Sequence, residues 1–392
     1  MTNPKLSLFV KGRKQTLTIL KKQIHKKDHI IWIHAASLGE YEQGLPILER
    51  LKLEYPTHKL LLTFFSPSGY EIKKNTQAAD IVAYLPIDTK KKVAQFLDFA
   101  KPELAIFIKY EIWPNYLAEL RKRKIPTLLI SALFRKSQLF FKSYGHFMRK
   151  SLRNFSHFYV QDMQSKKLLL SIGLTNTTIT GDTRFDRVSQ ILERDNHLKF
   201  MQDFSENHSC FVAGSTWPED ETLLIDFINT TTNTTKFVIA PHNIKLNAIL
   251  KLKASITKST MLYSEMDAAT IKSAQVLIID TIGLLTKVYS YANIAYVGGG
   301  FATGLHNTLE PAVFGIPVII GPNYNGFLEA EKLVSLGGVL SVTHKVEFST
   351  IADNLLKNKE ERTKLGKINS TYIESNKGAS DLIFKGIGPL LK

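Results

Sequence analysis

One stretch near the end of the chain carries a recognisable set of chemical groups. It reads Val297-Gly298-Gly299-Gly300-Phe301-Ala302-Thr303-Gly304-Leu305-His306-Asn307-Thr308-Leu309-Glu310-Pro311. An apolar strand runs into three glycines, and a short loop then delivers His306, Asn307 and Glu310 to a helix start. Glycines let a backbone approach a ligand closely and expose N–H groups, and a helix N-terminus favours an anion. Glu310 can accept hydrogen bonds from the two hydroxyls of a ribose. Together these groups suggest a nucleotide site; the glycines alone fit a plain αβ turn equally well.

Two further carboxylates follow apolar strands. In Ile31-Trp32-Ile33-His34-Ala35-Ala36-Ser37-Leu38-Gly39-Glu40, Glu40 stands at a helix start. The positive helix end favours its ionised form, which could take a proton from an attacking hydroxyl or simply complement the dipole. In Lys109-Tyr110-Glu111-Ile112-Trp113-Pro114-Asn115, Pro114 opens a helix, and Glu111 could hold a substrate or support a base. Other loops share this placement. They are Ser66-Pro67-Ser68-Gly69, Gly214-Ser215-Thr216-Trp217, Pro241-His242-Asn243 and Asp280-Thr281-Ile282-Gly283-Leu284. Helix capping explains most such loops, although His242 could also touch a phosphate.

These loops need strands to hold them. Apolar runs fit buried strands at Ile30–Ile33, Leu60–Phe64, Ile81–Leu85, Leu104–Ile108, Thr127–Ile130 and Phe158–Val160. The pattern lapses into polar, helix-poor sequence over 193–209, then resumes at Cys210–Ala213, Phe237–Ala240, Val276–Ile279, Ile294–Val297 and Pro317–Ile320. Amphipathic segments lie between the runs. Such alternation predicts α/β architecture with parallel sheets covered on both faces. We expect a Rossmann-like domain over 1–195, a second over 205–368, and a terminal helix over 369–392 returning to the first.

The 392 residues carry a formal charge of +16, which calls for an anionic partner. Residues 1–27 hold eight Lys/Arg and no acid, and residues 120–161 hold ten and no acid. In the second run Phe134, Phe140, Phe141, Tyr144, Phe147 and Met148 are interleaved with Arg135, Lys136, Lys142, Arg149 and Lys150. That mixture fits an anionic membrane, a single-stranded nucleic acid, or a helix with one basic and one buried face. The single Cys210 excludes an internal disulfide and points to a reducing compartment. No His/Cys cluster has zinc-ligand spacing along the sequence. No apolar run is long enough to span a bilayer, and there is no signal peptide, so any membrane contact should be peripheral.

Four motifs, in order, closely resemble the 3-deoxy-D-manno-oct-2-ulosonic acid (Kdo) transferases of lipid A assembly. They are His34 to Glu40, Glu111 to Asn115, Asp280 to Gly283 and Gly304 to Glu310. The resemblance covers nearly the whole chain from about residue 10. It implies a GT-B fold, two Rossmann-like domains facing across a cleft. The donor would be CMP-Kdo, held by Ser215, Thr216, Pro241, His242, Asp280, Thr281, Ile282, Gly283, Leu284, Gly299, Gly300, His306, Asn307, Thr308, Leu309 and Glu310. The acceptor would be a lipid A precursor (tetraacyldisaccharide 1,4′-bisphosphate), met by Ser37, Gly39, Lys109, Arg135 and Lys136. Glu40 would be the general base, Glu111 its catalytic partner, and transfer would invert the anomeric carbon. No metal or cofactor is implied, and no nucleic acid partner.

The same resemblance places the protein on the cytoplasmic face of the inner membrane. Family members commonly begin with an apolar anchor, whereas this chain starts Met1-Thr2-Asn3-Pro4. Attachment would then rest on the basic surface or on a segment absent from this chain. Pro241-His242-Asn243 stands where a Pro-Arg-His motif is common, Leu284 where a glutamate is usual, and Lys109 where an acid is frequent. Two other classes remain alternatives: a GT-B transferase using a UDP-sugar and a lipid acceptor, and a non-catalytic basic protein binding lipid or nucleic acid.

Overall fold

Runs such as Ile30-Ile31-Trp32-Ile33 are apolar on both faces, so a strand built from them must be covered on both sides. The structure is a computed structural model. It describes residues 4–267, 270–302 and 304–391, with side chains from Phe9 onward. Met1, Thr2, Asn3 and Thr303 lie outside the described residues. The chain divides into two compact units. The first runs to Arg187 and takes in the chain from Asn376; the second is Val188–Ser375.

The first unit is built on seven strands: β1 (His29–Ala35), β2 (His58–Phe64), β3 (Ile81–Tyr84), β4 (Leu104–Ile108), β5 (Thr127–Ala132), β6 (His157–Val160) and β7 (Thr177–Ile179). They form one sheet in the order β3-β2-β1-β4-β5-β6-β7, every pairing parallel. One face buries Trp32, Phe96, Phe107, Tyr116 and Phe158, and the other buries Ile31, Ile33, Leu45, Leu62 and Ile106. The helix Ala379–Ile387 belongs to this unit, where Ile383, Phe384 and Ile387 sit in the second of these cores.

The second unit repeats the plan with β8 (Cys210–Thr216), β9 (Lys236–Pro241), β10 (Thr260–Leu262), β11 (Val276–Ile278), β12 (Ile294–Val297), β13 (Val318–Ile320) and β14 (Val339–Ser341). Their order is β10-β11-β9-β8-β12-β13-β14, again all parallel. Cys210 is a fully buried strand residue. Burial pushes its thiol up to about 12, so it is chemically quiet.

Three features depart from the reading of the sequence. Strands β7, β10 and β14 were not expected; each has three residues and lies at a sheet edge, where few apolar side chains are needed. The polar segment 193–209 contains a helix, Lys199–Ser205, with Phe200, Met201 and Phe204 buried. The helix after the glycine loop is a single short turn, Leu309–Ala312, too brief for a strong dipole.

Parts of both basic runs are structural. Arg13 is buried and donates to the carbonyls of Leu85, Phe65 and Phe9. Arg123 pairs with Glu119 and Asp98. The returning helix should be needed for the first unit. Ile383→Ala removes a fully buried side chain and should lower stability by about 2–5 kcal/mol, read from urea unfolding.

Candidate active site

In open parallel sheets, ligands bind beyond the C-terminal strand ends where strand order reverses. In the first unit that point lies between β1 and β4. The loop after β1 carries Ser37, Gly39 and Glu40, and the loop after β4 carries Lys109 and Glu111. The topology therefore brings the two expected catalytic carboxylates to adjacent loops of one sheet edge.

Glu40 lies in the first turn of the helix Leu38–Glu54. Its Oε2 accepts from the Ser37 backbone N–H at 2.7 Å and from the Ser37 hydroxyl at 2.6 Å. This is the reciprocal half of a capping box, and it fixes the carboxylate's direction. Among the described residues, Oε1 receives no hydrogen bond. Glu111 is held in the same way. Its Oε2 accepts from His34 Nε2 at 3.1 Å and Trp113 Nε1 at 2.8 Å, leaving Oε1 open. His34 is fully buried, and its Nδ1 meets Thr63 Oγ1 at 2.9 Å. Thr63 Oγ1 also accepts from Trp32 Nε1 at 2.8 Å. Trp32, Thr63 and His34 thus brace Glu111 from inside the sheet, a chain that strand patterning could not reveal. Asn115 is turned elsewhere and bonds Asp88 at the start of the helix Pro114–Lys122.

Lys109 adopts φ +65°, a left-handed conformation uncommon for a residue with a side chain. Its Nζ lies over the Tyr110 ring. Burial pushes the Tyr110 hydroxyl up, and the Arg135 and Arg184 charges pull it back. Arg184 was not anticipated. It clamps the buried Asp182, which burial drives up but the Arg184 charge holds below the usual carboxylate range. Arg135 and Lys136 are exposed.

The second unit reverses its strand order between β8 and β12. Trp217 follows β8, His242 follows β9, and His306 lies in the loop after β12. The three rings form a stack: Trp217 to His242 is 4.6 Å at 17°, and His242 to His306 is 4.6 Å. Trp217 Nε1–H can only donate, and it does so to His306 Nε2 at 3.0 Å. His306 therefore carries its ring proton on Nδ1. Burial, then repulsion by His242, holds its pKa below the ordinary value, partly offset by Asp220.

Asp220, which sequence patterning did not single out, organises this loop cluster. It is fully buried and accepts from Gly299 N–H (2.8 Å), Trp217 N–H (2.9 Å) and Tyr296 OH (2.7 Å). This corrects one expectation: the Gly299 N–H is spent inside the protein and is not offered to a ligand. Gly300 faces the Gly321 backbone, where a Cβ would come within 2.7 Å. Its smallness serves chain-to-chain packing. Glu310 accepts from Asn307 Nδ2 at 3.1 Å and Thr286 Oγ1 at 3.0 Å. Thr308 and Leu309 are buried. Ser215 takes φ +55°, and Thr216 Oγ1 donates to Glu221.

Residues 11–187 match the family profile described as 3-deoxy-D-manno-octulosonic-acid transferase (kdotransferase). A Haemophilus influenzae 3-deoxy-D-manno-octulosonic acid transferase is 28% identical over 92% of this chain and 87% of its own length. The Aquifex aeolicus protein of the same name is 29% identical over 90% and 94%. Over most of its length the chain is therefore similar to Kdo transferases. Among solved structures, UDP-GlcNAc 2-epimerase from Neisseria meningitidis superposes with a TM-score of 0.65 at 17% identity, covering 92% of this chain and 99% of that one. MurG from Acinetobacter baumannii gives 0.58 at 11% identity, over 91% and 99%. The fold is GT-B, and the similarity to Kdo transferases supports a glycosyltransferase.

The Asp280 to Gly283 motif is largely solvent-facing. Asp280 accepts from the Ser264 N–H and hydroxyl, Thr281 and Leu284 are half-buried, and Ile282 is 83% exposed. Gly283 has φ +97°. Pro241 ends β9, and the His242 N–H donates to the Thr216 carbonyl. The aromatic-basic run divides. Phe134 and Phe140 are core residues, whereas Tyr144 and Phe147 are 76% and 69% exposed. Removing His242 takes a repelling neighbour and some burial from His306. His242→Ala should therefore raise the His306 pKa, which an NMR pH titration of its ring protons would follow.

Proposed function

We propose that this transferase moves Kdo from CMP-Kdo to a tetraacylated, bisphosphorylated lipid A precursor. The observation that carries this reading is the state of Glu40. One oxygen is tied down by Ser37, and the other receives no hydrogen bond from the described residues, at the strand-order reversal of a chain similar to Kdo transferases. A fixed, partly exposed carboxylate with one unengaged oxygen suits a general base.

In the proposed step, Glu40 Oε1 takes the proton of the acceptor hydroxyl. The hydroxyl oxygen bonds to the anomeric carbon of Kdo, and the bond from that carbon to the CMP phosphate oxygen breaks. CMP leaves with the electron pair, and the anomeric configuration inverts. Glu111, braced by His34 and Trp113, orients the acceptor beside the base. Lys109, Arg135, Lys136 and Arg184 meet its phosphates. In the second unit the Trp217-His242-His306 stack and the Nδ1–H of His306 serve the nucleotide end. Glu310 takes the ribose hydroxyls, and the family arginine's place at His242 is filled by the ring stack.

Among the described residues, no helix is long and apolar enough to cross a membrane. Tyr144, Phe147 and Leu139 are exposed in a segment that also carries the exposed Lys136 and Lys150. We place this patch against the anionic cytoplasmic surface of the inner membrane, where rings enter the headgroup layer and lysines meet phosphate. The test is transfer from CMP-Kdo, generated in situ, to the tetraacylated precursor, read by mass spectrometry. A mass gain of whole Kdo units, inhibited by CMP and not by UDP, is expected. No gain from folded protein, or inhibition by UDP alone, would refute the assignment.

A further inference from the structure

Three residues distant in sequence meet at the other end of the first sheet, where its strands begin. His29 is the first residue of β1 and His58 the first of β2, and the register pairs them directly. Glu103 immediately precedes β4 on the other side of β1, and its N–H donates to the Ile30 carbonyl at 2.8 Å. The two imidazoles are neighbours, their ring centroids 5.4 Å apart, and Glu103 gives one oxygen to each. His29 Nδ1 is 2.6 Å from Oε1, and His58 Nε2 is 3.2 Å from Oε2. One ligand atom from each residue can be chosen so that all lie within 4.8 Å of one another.

We propose that His29, His58 and Glu103 form a site for a divalent transition metal of the zinc type. Two imidazole nitrogens and a carboxylate oxygen are a known ligand class for zinc, with water completing the tetrahedron. Hard cations such as Mg²⁺ prefer all-oxygen shells. Zinc–ligand bonds of about 2.05 Å put neighbouring tetrahedral ligands about 3.3 Å apart; the His58–Glu103 spacing is close to that, and the His29–Glu103 contact at 2.6 Å is a hydrogen bond that an entering ion would open. The ligand set is preorganised by backbone. Strand register fixes the backbone positions of two ligands, and the third's own N–H fixes that of the last. The Tyr55 ring stands edge-on to the His58 ring at 5.7 Å, limiting its rotation, and His58 Nδ1 faces Thr57 Oγ1 at 3.4 Å. His29 and Glu103 are exposed, so an ion can enter and keep a water ligand.

Hydrogen bonds from both imidazoles to the two carboxylate oxygens can hold the cluster without an ion. Exposed pairs of that kind contribute little, and the same three groups converge closely enough to share one cation. The site sits at the strand starts, whereas Glu40 and Glu111 follow strand ends. It would clasp β2, β1 and β4 together and would take no part in transfer.

The test uses the full chain, stripped with a chelator and titrated with Zn²⁺ by calorimetry at about pH 8, where ordinary imidazoles are neutral. We expect one tight Zn²⁺ per chain and a rise in Tm on adding Zn²⁺. His29→Ala and Glu103→Gln change exposed side chains and should fold normally by circular dichroism. Each should weaken Zn²⁺ binding by about a hundredfold and abolish the Tm rise. Co²⁺ should give a tetrahedral ligand-field spectrum in the wild type and lose it in both variants. Absence of stoichiometric Zn²⁺ binding, or equally tight binding in both variants, would overturn the site.

Discussion

A parallel sheet covered on both faces leaves its strands no solvent side. Polar groups are confined to the strand ends unless each has a partner inside. Both units of this chain obey that constraint, and their functional layout follows from it. The candidate site residues lie beyond the C-terminal ends of β1, β4, β8 and β12, where strand order turns back and neighbouring loops diverge. His34 shows the condition for an exception. It is a fully buried polar residue within β1, and both ring nitrogens are engaged, one by Thr63 and one by Glu111. Its burial makes Glu111 rigid, because a ring fixed in the sheet cannot release its carboxylate partner without losing a bond in the core.

The two units use carboxylates in opposite ways. In the first, Glu40 and Glu111 are each tied by Oε2, with Oε1 receiving no hydrogen bond among the described residues. In the second, both oxygens of Asp220 and both of Glu310 accept hydrogen bonds. A carboxylate with an open oxygen suits proton transfer, and a saturated one suits architecture or added recognition. Asp220 is architectural. It joins the start of one helix, a strand tyrosine and the glycine loop, and so sets where Trp217 and His306 stand.

Much of this was legible from residue order. The central strands are apolar, and their loops carry the carboxylates and glycines that motif reasoning picks out. Edge strands β7, β10 and β14 were not legible, because three residues at an edge need no continuous apolar run. The helix Lys199–Ser205 was hidden by polar flanks, although Phe200, Met201 and Phe204 have helical spacing. Long-range partners were invisible in principle. Nothing near Asp220 indicates Gly299, and nothing near His29 indicates Glu103. The basic runs were over-read as surface: Arg13 and Arg123 are spent on carbonyls and carboxylates of their own unit, while Tyr144 and Phe147 do face solvent.

The central claim is that the open oxygen of Glu40 takes the acceptor's proton. The most direct measurement is the single-turnover rate of Glu40→Gln with saturating donor and acceptor. Glutamine can still accept from Ser37, so the loop should keep its shape and CMP its affinity. The account predicts a rate lower by about 10²–10⁴ with CMP binding unchanged. A variant that transfers within a few-fold of the wild-type rate would contradict it.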